Sequence, residues 1–247
     1  MKNIFRKPFR WLTGIAVFLA VLLILFIIVS VSAKRKMTPV DTGKLTGDVY
    51  AVRDKFVNMY LISDGSDYIA IDAGISNVRI RDQLNKLDID PDRVKAVFLT
   101  HTDPDHAGGL SLFKNAEVYM HEDEEKMING EIGRVLWFRN KIDATDYILL
   151  NDYAVMIGDL RIEPVSTPGH TAGLTCYRVN DIYLFTGDAV SLKDGVISLF
   201  PKYINKNPRM AIKSIDNITG LDGVKYIFTG HHGYSADFAG AAGGYRK

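Results

Sequence analysis

Cysteine is almost missing from this chain: Cys176 is the only one in 247 residues. No intrachain disulfide can form, and a cysteine-rich zinc module is excluded. Set in an apolar run, Cys176 is expected in the core and not as a nucleophile. Acidic residues are missing up to Met37, where Lys2, Arg6, Lys7, Arg10, Lys34, Arg35 and Lys36 are all the charges there are. Those seven positive charges, set against a net charge of +1, leave −6 for everything beyond. A mildly acidic remainder argues against a non-specific nucleic-acid surface, though not against a local basic patch. Internal repeats and low-complexity segments are also lacking. The length suits one sizeable core plus an appendage.

Charge of either sign is missing from Trp11 to Ala33, and Ile15 to Val31 is almost wholly aliphatic or aromatic. That satisfies the about 20 residues needed to cross a bilayer core. A helix apolar on all sides at a chain terminus finds its natural solvent in lipid. The expected organisation is a basic flank (1–10), a retained single-pass anchor (11–33), a polar linker (34–44) and a globular domain (45–247). A secretory signal cleaved after Ala33 is the competing reading, and would make the protein secreted. Signals, however, carry apolar runs of only about 7–15 residues. The basic residues before Trp11, with the amino group, slightly outnumber Lys34-Arg35-Lys36. The positive-inside rule then places the globular part on the extracytoplasmic side of the cell membrane.

Within the globular part, Val49–Val52, Asn58–Ile62 and Tyr68–Ile71 read as successive strands, with a hairpin turn at Asp64-Gly65-Ser66. Ile75–Leu87 has helical spacing, and Val94–Leu99 reads as a buried strand. Glu117–Met120 is a further strand, followed by a charged surface helix over His121–Asn129. Glu131–Asp152 has no readable period; a strand pair and a covering helix both fit. Leu160–Val165, Leu174–Val179, Ile182–Phe185 and Tyr226–Phe228 complete the strands, Met210–Ile218 is an amphipathic helix, and the tail after Phe238 is small and flexible in composition.

Chemistry concentrates just past the strand ends. Thr100-His101-Thr102-Asp103-Pro104-Asp105-His106-Ala107-Gly108-Gly109 puts two imidazoles and two carboxylates into six positions, before a helix expected over Leu110–Phe113. Buried carboxylates must be paired or metal-bound, and these donors suit a borderline or hard divalent cation. Asp72, His170, Asp188 and His231 each follow another apolar strand, so rigid supports could bring them to one rim.

Taken together, Ile71-Asp72-Ala73-Gly74, His101-x-Asp103-x-Asp105-His106-x-Gly108-Gly109, Thr167-Pro168-Gly169-His170-Thr171-Ala172-Gly173, Phe185-Thr186-Gly187-Asp188 and Thr229-Gly230-His231 resemble the metallo-β-lactamase-fold hydrolases. The resemblance runs from about Val49 to His232 in the family's order. It implies a mixed α/β, four-layer αββα sandwich with a two-metal site at the sheet edges. His101 and His170 would then bind the first metal, Asp105, His106 and His231 the second, and Asp188 would bridge them. Two divalent ions, zinc first and manganese or iron as alternatives, would hold a bridging hydroxide. Asp105 could also accept a proton, and Asp105 and Asp188 are the expected catalytic carboxylates. Asp72 is expected to hydrogen-bond a ligand, and His232 and Tyr203 to lie toward the substrate. Gly108 and Gly109 would permit close packing beneath the site. The commonest family pattern has histidine where this chain has Asp103; as an extra carboxylate ligand it would favour manganese or iron, or else leave the first site weak.

The expected function is a membrane-anchored, metal-dependent hydrolase of a small acyl substrate such as a thioester or lactone. Its alternatives are a phosphodiesterase or nuclease on the same site and a non-catalytic metal-binding sensor. The expected partners are a small molecule and, through the N-terminal helix, the lipid bilayer.

Overall fold

The computed structural model describes residues 6–134, 137–144 and 146–245; Lys2 of the basic flank, the Val135-Leu136 pair and the last two residues of the tail lie outside them. The chain divides into two compact units, Met1–Met37 and Thr38–Lys247.

The first unit is a single helix, α1 (Arg6–Arg35). Within its Trp11–Arg35 stretch an 18-residue window has a mean hydropathy of 3.2, and none of that window's described residues is buried within the protein. It is long and apolar enough to cross a membrane, a property that signal sequences share. Lys34–Lys44, expected as a linker, is divided: Lys34 and Arg35 end α1, and Gly43-Lys44 already belong to a strand. Between them Val40 is fastened to Asn58, its N–H donating to Oδ1 (2.7 Å) and its carbonyl accepting from Nδ2 (2.8 Å).

The second unit begins with β1 (Gly43–Thr46), β2 (Val49–Asp54), β3 (Val57–Ser63), β4 (Tyr68–Ile71), α2 (Asn77–Lys86) and β5 (Val94–Phe98). A four-residue helix, α3 (Pro104–Ala107), then precedes β6 (Glu117–His121), α4 (Glu122–Asn129) and β7 (Ile148–Leu150). The strands form one seven-stranded sheet in sequence order. It is antiparallel from β1 to β4 and parallel from β4 to β7.

Next come β8 (Val155–Ile157), β9 (Leu160–Ser166), β10 (Thr175–Val179), β11 (Tyr183–Phe185), the small hairpin β12 (Ser191–Lys193) and β13 (Val196–Ser198), α5 (Pro208–Thr219), β14 (Tyr226–Phe228), β15 (Tyr234–Ser235) and α6 (Phe238–Gly243). Six of these strands make a second sheet ordered β15-β14-β11-β10-β9-β8.

Alternation along the strands explains the layering. Tyr60, Ile62, Ile69, Ile71, Ala96 and Phe98 point one way, meeting Ile162, Tyr177, Phe185 and Phe228 of the second sheet. Met59, Leu61, Ala70 and Val97 point the other way and are covered by Ile80 and Leu84 of α2. Ile215 and Ile218 of α5 and Phe238 of α6 cover the far face of the second sheet with Cys176, Leu184 and Ile227. Strands buried on both faces become near-continuous apolar runs, and the outcome is the αββα sandwich that was expected.

Three expectations need correcting. The helix placed over Leu110–Phe113 is only a 3-10 turn, Leu110–Leu112; the α-helix lies within the histidine-aspartate stretch itself. Pro104 is pre-set for a first helical position, and Gly108-Gly109, at the end of the helix, packs where a side chain has no room. A Cβ on Gly108 would stand 2.3 Å from the Ile75 carbonyl oxygen, and one on Gly109 2.1 Å from that of Ala73. His121 is not a solvated member of the charged helix but its N-cap, with Nδ1 accepting from the Asp123 N–H (3.1 Å). The tail is ordered as α6, capped by Asp237, whose carboxylate accepts from the Gly240 N–H at 2.9 Å.

Candidate metal centre

Asp72 organises the loops beyond β4 and β5. It sits in the left-handed region, with φ of +63°, so that its N–H donates to the Phe98 carbonyl while its carboxylate turns inward. That carboxylate accepts from the Thr100 N–H (2.8 Å), the Thr100 hydroxyl (2.9 Å) and His106 Nδ1 (2.8 Å). Asp72 is thus a brace for His106.

Each of four imidazoles is held from behind in this way. His231 Nδ1 lies 2.7 Å from the Phe56 carbonyl, which can only accept, so the proton is on Nδ1. His101 Nδ1 lies 3.0 Å from a Thr100 hydroxyl whose own proton goes to Asp72. His170 Nδ1 faces the Asn205 side-chain oxygen at 3.3 Å. In every case Nε2 is the ring atom left facing the centre.

The carboxylates close around those nitrogens. Asp188 Oδ1 is 3.3 Å from His106 Nε2 and 3.2 Å from His231 Nε2, and its Oδ2 is 3.4 Å from His170 Nε2. Asp105 Oδ2 is 3.5 Å from His231 Nε2, and Asp103 Oδ2 is 3.3 Å from His170 Nε2 and 3.7 Å from His101 Nε2. Three sets of donors lie close enough to share an ion: His101, Asp103 and His170; His101, His106 and Asp188; and Asp105, His106 and His231.

Two observations fit a divalent cation here. Among the described residues, His101 Nε2 and Asp188 Oδ1 are buried with no hydrogen-bond partner, a costly arrangement unless something else binds them. His106 and His231 also turn their Nε2 atoms on each other at 3.3 Å; two lone pairs that close repel unless a proton or cation lies between them.

The surroundings shape the charges. Burial pushes His101 well below the ordinary histidine value. Burial acts the same way on His106 and His231, but the Asp188 carboxylate outweighs it and holds both above that value, helped at His106 by Asp72. Asp188 is itself kept well below the usual carboxylate range: burial opposes ionisation, and His231 and His106 overcome it. Cys176 is pushed up to about 12 by burial, which makes it inert as a nucleophile.

Two expected substrate-side residues remain. The imidazole of His232, lowered by burial, packs edge-on against Phe200, with ring centroids 5.7 Å apart. Tyr203 is 68% exposed, and among the described residues it makes no polar contact with the cluster.

Three residues that the sequence did not single out matter as much. Glu124, within a helix expected to be solvated, is fully buried. It accepts from the N–H and hydroxyl of Thr102, the hydroxyl of Thr171 and the N–H of Gly173, tying together the loops that carry His101 and His170. Arg134 and Asn140, from the stretch without a readable period, both bind Asp103. The one available signal for Glu124 was Met127, three positions on and on the same face of the helix.

The pattern of metallo-beta-lactamase superfamily proteins matches residues 52–231, which takes in every proposed metal ligand from His101 to His231. The chain belongs to that superfamily. A protein named "Probable metallo-hydrolase" from Methanocaldococcus jannaschii is 29% identical over 150 residues, 61% of this chain and 63% of that one. One named "Probable polyketide biosynthesis zinc-dependent hydrolase", from Bacillus velezensis, is 34% identical over 136 residues, 53% of this chain and 54% of the other. The chain thus spans between half and two thirds of the length of these relatives. Among solved structures, a B3 metallo-beta-lactamase with an active-site glutamic acid shares the fold with a TM-score of 0.66 at 18% identity, over 85% of this chain and 88% of that one.

Proposed function

We propose that the chain is a metal-dependent hydrolase of small acyl compounds. The convergence of four braced imidazoles on Asp188 carries this reading. His101, Asp103 and His170 form one ligand group; Asp105, His106 and His231 form the other; Asp188 faces both, with one oxygen toward each. A divalent ion bound there supplies Lewis acidity and brings the pKa of water toward neutrality.

The chain's own residues do the rest. Phe56, Asp72, Thr100 and Asn205 fix the imidazole tautomers, so no ligand has to reorient when an ion arrives. Asp105, with 28% of its side chain exposed, is the most solvent-exposed carboxylate of the cluster and the candidate proton acceptor. His232 and Tyr203 are the candidate substrate contacts. The acyl class is supported by the resemblance of the Thr167–Gly173 motif, and zinc by the hydrolase named as zinc-dependent among the relatives.

The test is a substrate panel of thioesters, lactones, β-lactams and phosphodiesters, with the full chain in detergent. The reading expects acyl turnover that a chelator abolishes, zinc or manganese restores, and Asp188→Asn lacks. Turnover confined to phosphodiesters, or a metal-loaded chain inert on the whole panel, overturns it.

A further inference from the structure

One cation already stands among the proposed ligands. Arg134 lays its guanidinium along the Asp103 carboxylate, with Nε 2.8 Å from Oδ1 and Nη2 2.9 Å from Oδ2. Nη2 also reaches His170 Nε2 at 3.2 Å and the Ile204 carbonyl at 3.2 Å. Two of the three donors in the first group, Asp103 and His170, are therefore occupied by the same nitrogen. Asn140 Nδ2 takes Asp103 Oδ1 again, at 2.9 Å.

This arm is built in, not draped over the site. The Arg134 side chain is only 15% exposed. Its backbone N–H donates to the Phe138 carbonyl (2.7 Å), and Lys206 Nζ donates to the neighbouring Gly133 carbonyl (2.6 Å). The second group differs: among the described residues, no lysine or arginine forms an ion pair with Asp105 or Asp188.

Resting on the metal-centre reading above, we propose that Arg134 is the resident cation of the first ligand group. The chain then holds one divalent ion, among Asp105, His106, His231 and Asp188. A guanidinium and a divalent ion repel each other and need the same lone pairs, so the first group admits an ion only when Arg134 leaves. The proposal also accounts for the departure at position 103. A carboxylate matches the two parallel N–H donors of arginine, which an imidazole cannot do. Asp103 is there for Arg134.

Metal content decides this without recourse to turnover. The full chain in detergent is loaded with excess zinc, desalted and counted by native mass spectrometry, beside Arg134→Met and Asp103→His. The Asp103→His variant removes the guanidinium's seat and does not depend on how Arg134→Met folds. The expected result is one zinc in the wild type and two in each folded variant. Two zincs in the wild type, or one in both variants, overturns the role of Arg134 while leaving the metal centre standing. No zinc in any of the three chains overturns the metal centre itself.

Discussion

His106 shows how little of a ligand's strength lies in the ligand. Its ring is fully buried, and Asp72 holds the Nδ1 proton at 2.8 Å while also gripping Thr100. An imidazole so braced presents Nε2 in one orientation and is more basic toward an ion. Replacing Asp72 by alanine is therefore expected to weaken zinc binding by roughly 10–100-fold, read by competition with a chromophoric chelator. Unchanged affinity would mean that the brace is ornamental. Residues of this kind were legible where the sequence spells them out: His101, Asp105, His106, His170, Asp188 and His231 each follow an apolar strand. Arg134 was not, because nothing near it in sequence shows that its partner lies 31 positions earlier. The hint was Asp103, a buried carboxylate short of a counter-charge.

At the scale of elements, α4 is the joint on which the site depends. Four consecutive acids, Glu122 to Glu125, read as a solvated face, yet Glu124 is buried where the helix meets the 171–173 loop. Burial raises its carboxyl above the ordinary value, and its hydrogen bonds from Thr102 and Thr171 offset part of that. Glu124→Ala would strand two backbone N–H groups and two hydroxyls, costing about 3 kcal/mol or more, as urea unfolding would measure. The strand pair β9–β10 makes a pH prediction. Glu163 on β9 binds Arg161 and Arg178. Partial burial raises its carboxyl, but the two arginines outweigh this and hold it below the ordinary value of 4.5. A depressed folded value stabilises above the unfolded value and is lost as pH falls through the folded one. Arg178→Met should therefore lower the unfolding midpoint at neutral pH, with the deficit fading in acid below that range. A deficit constant across pH would place the effect in packing instead. The strands could be read from their apolar runs; the order of the sheets, with β11 pairing parallel to β14, rests on long-range pairings that no local pattern encodes.

Across the whole molecule, the two units differ in what they do with their apolar surface. The αββα unit buries its own apolar faces, whereas the described apolar side chains of α1, such as Leu12, Phe18 and Ile28, are exposed. If α1 is retained as an anchor, the protein fractionates with membranes and its amino-terminal sequence precedes Lys34. A mature chain beginning at Lys34, found in the soluble fraction, would show that the segment is a cleaved signal.

The claim on which the rest depends is that imidazoles and carboxylates from distant strands share a divalent ion. Anomalous scattering at the zinc edge, from crystals of the loaded protein, tests it most directly. The account predicts a zinc peak enclosed by Asp105, His106, His231 and Asp188. Zinc bound elsewhere on the chain, with no peak among those four side chains, would contradict it.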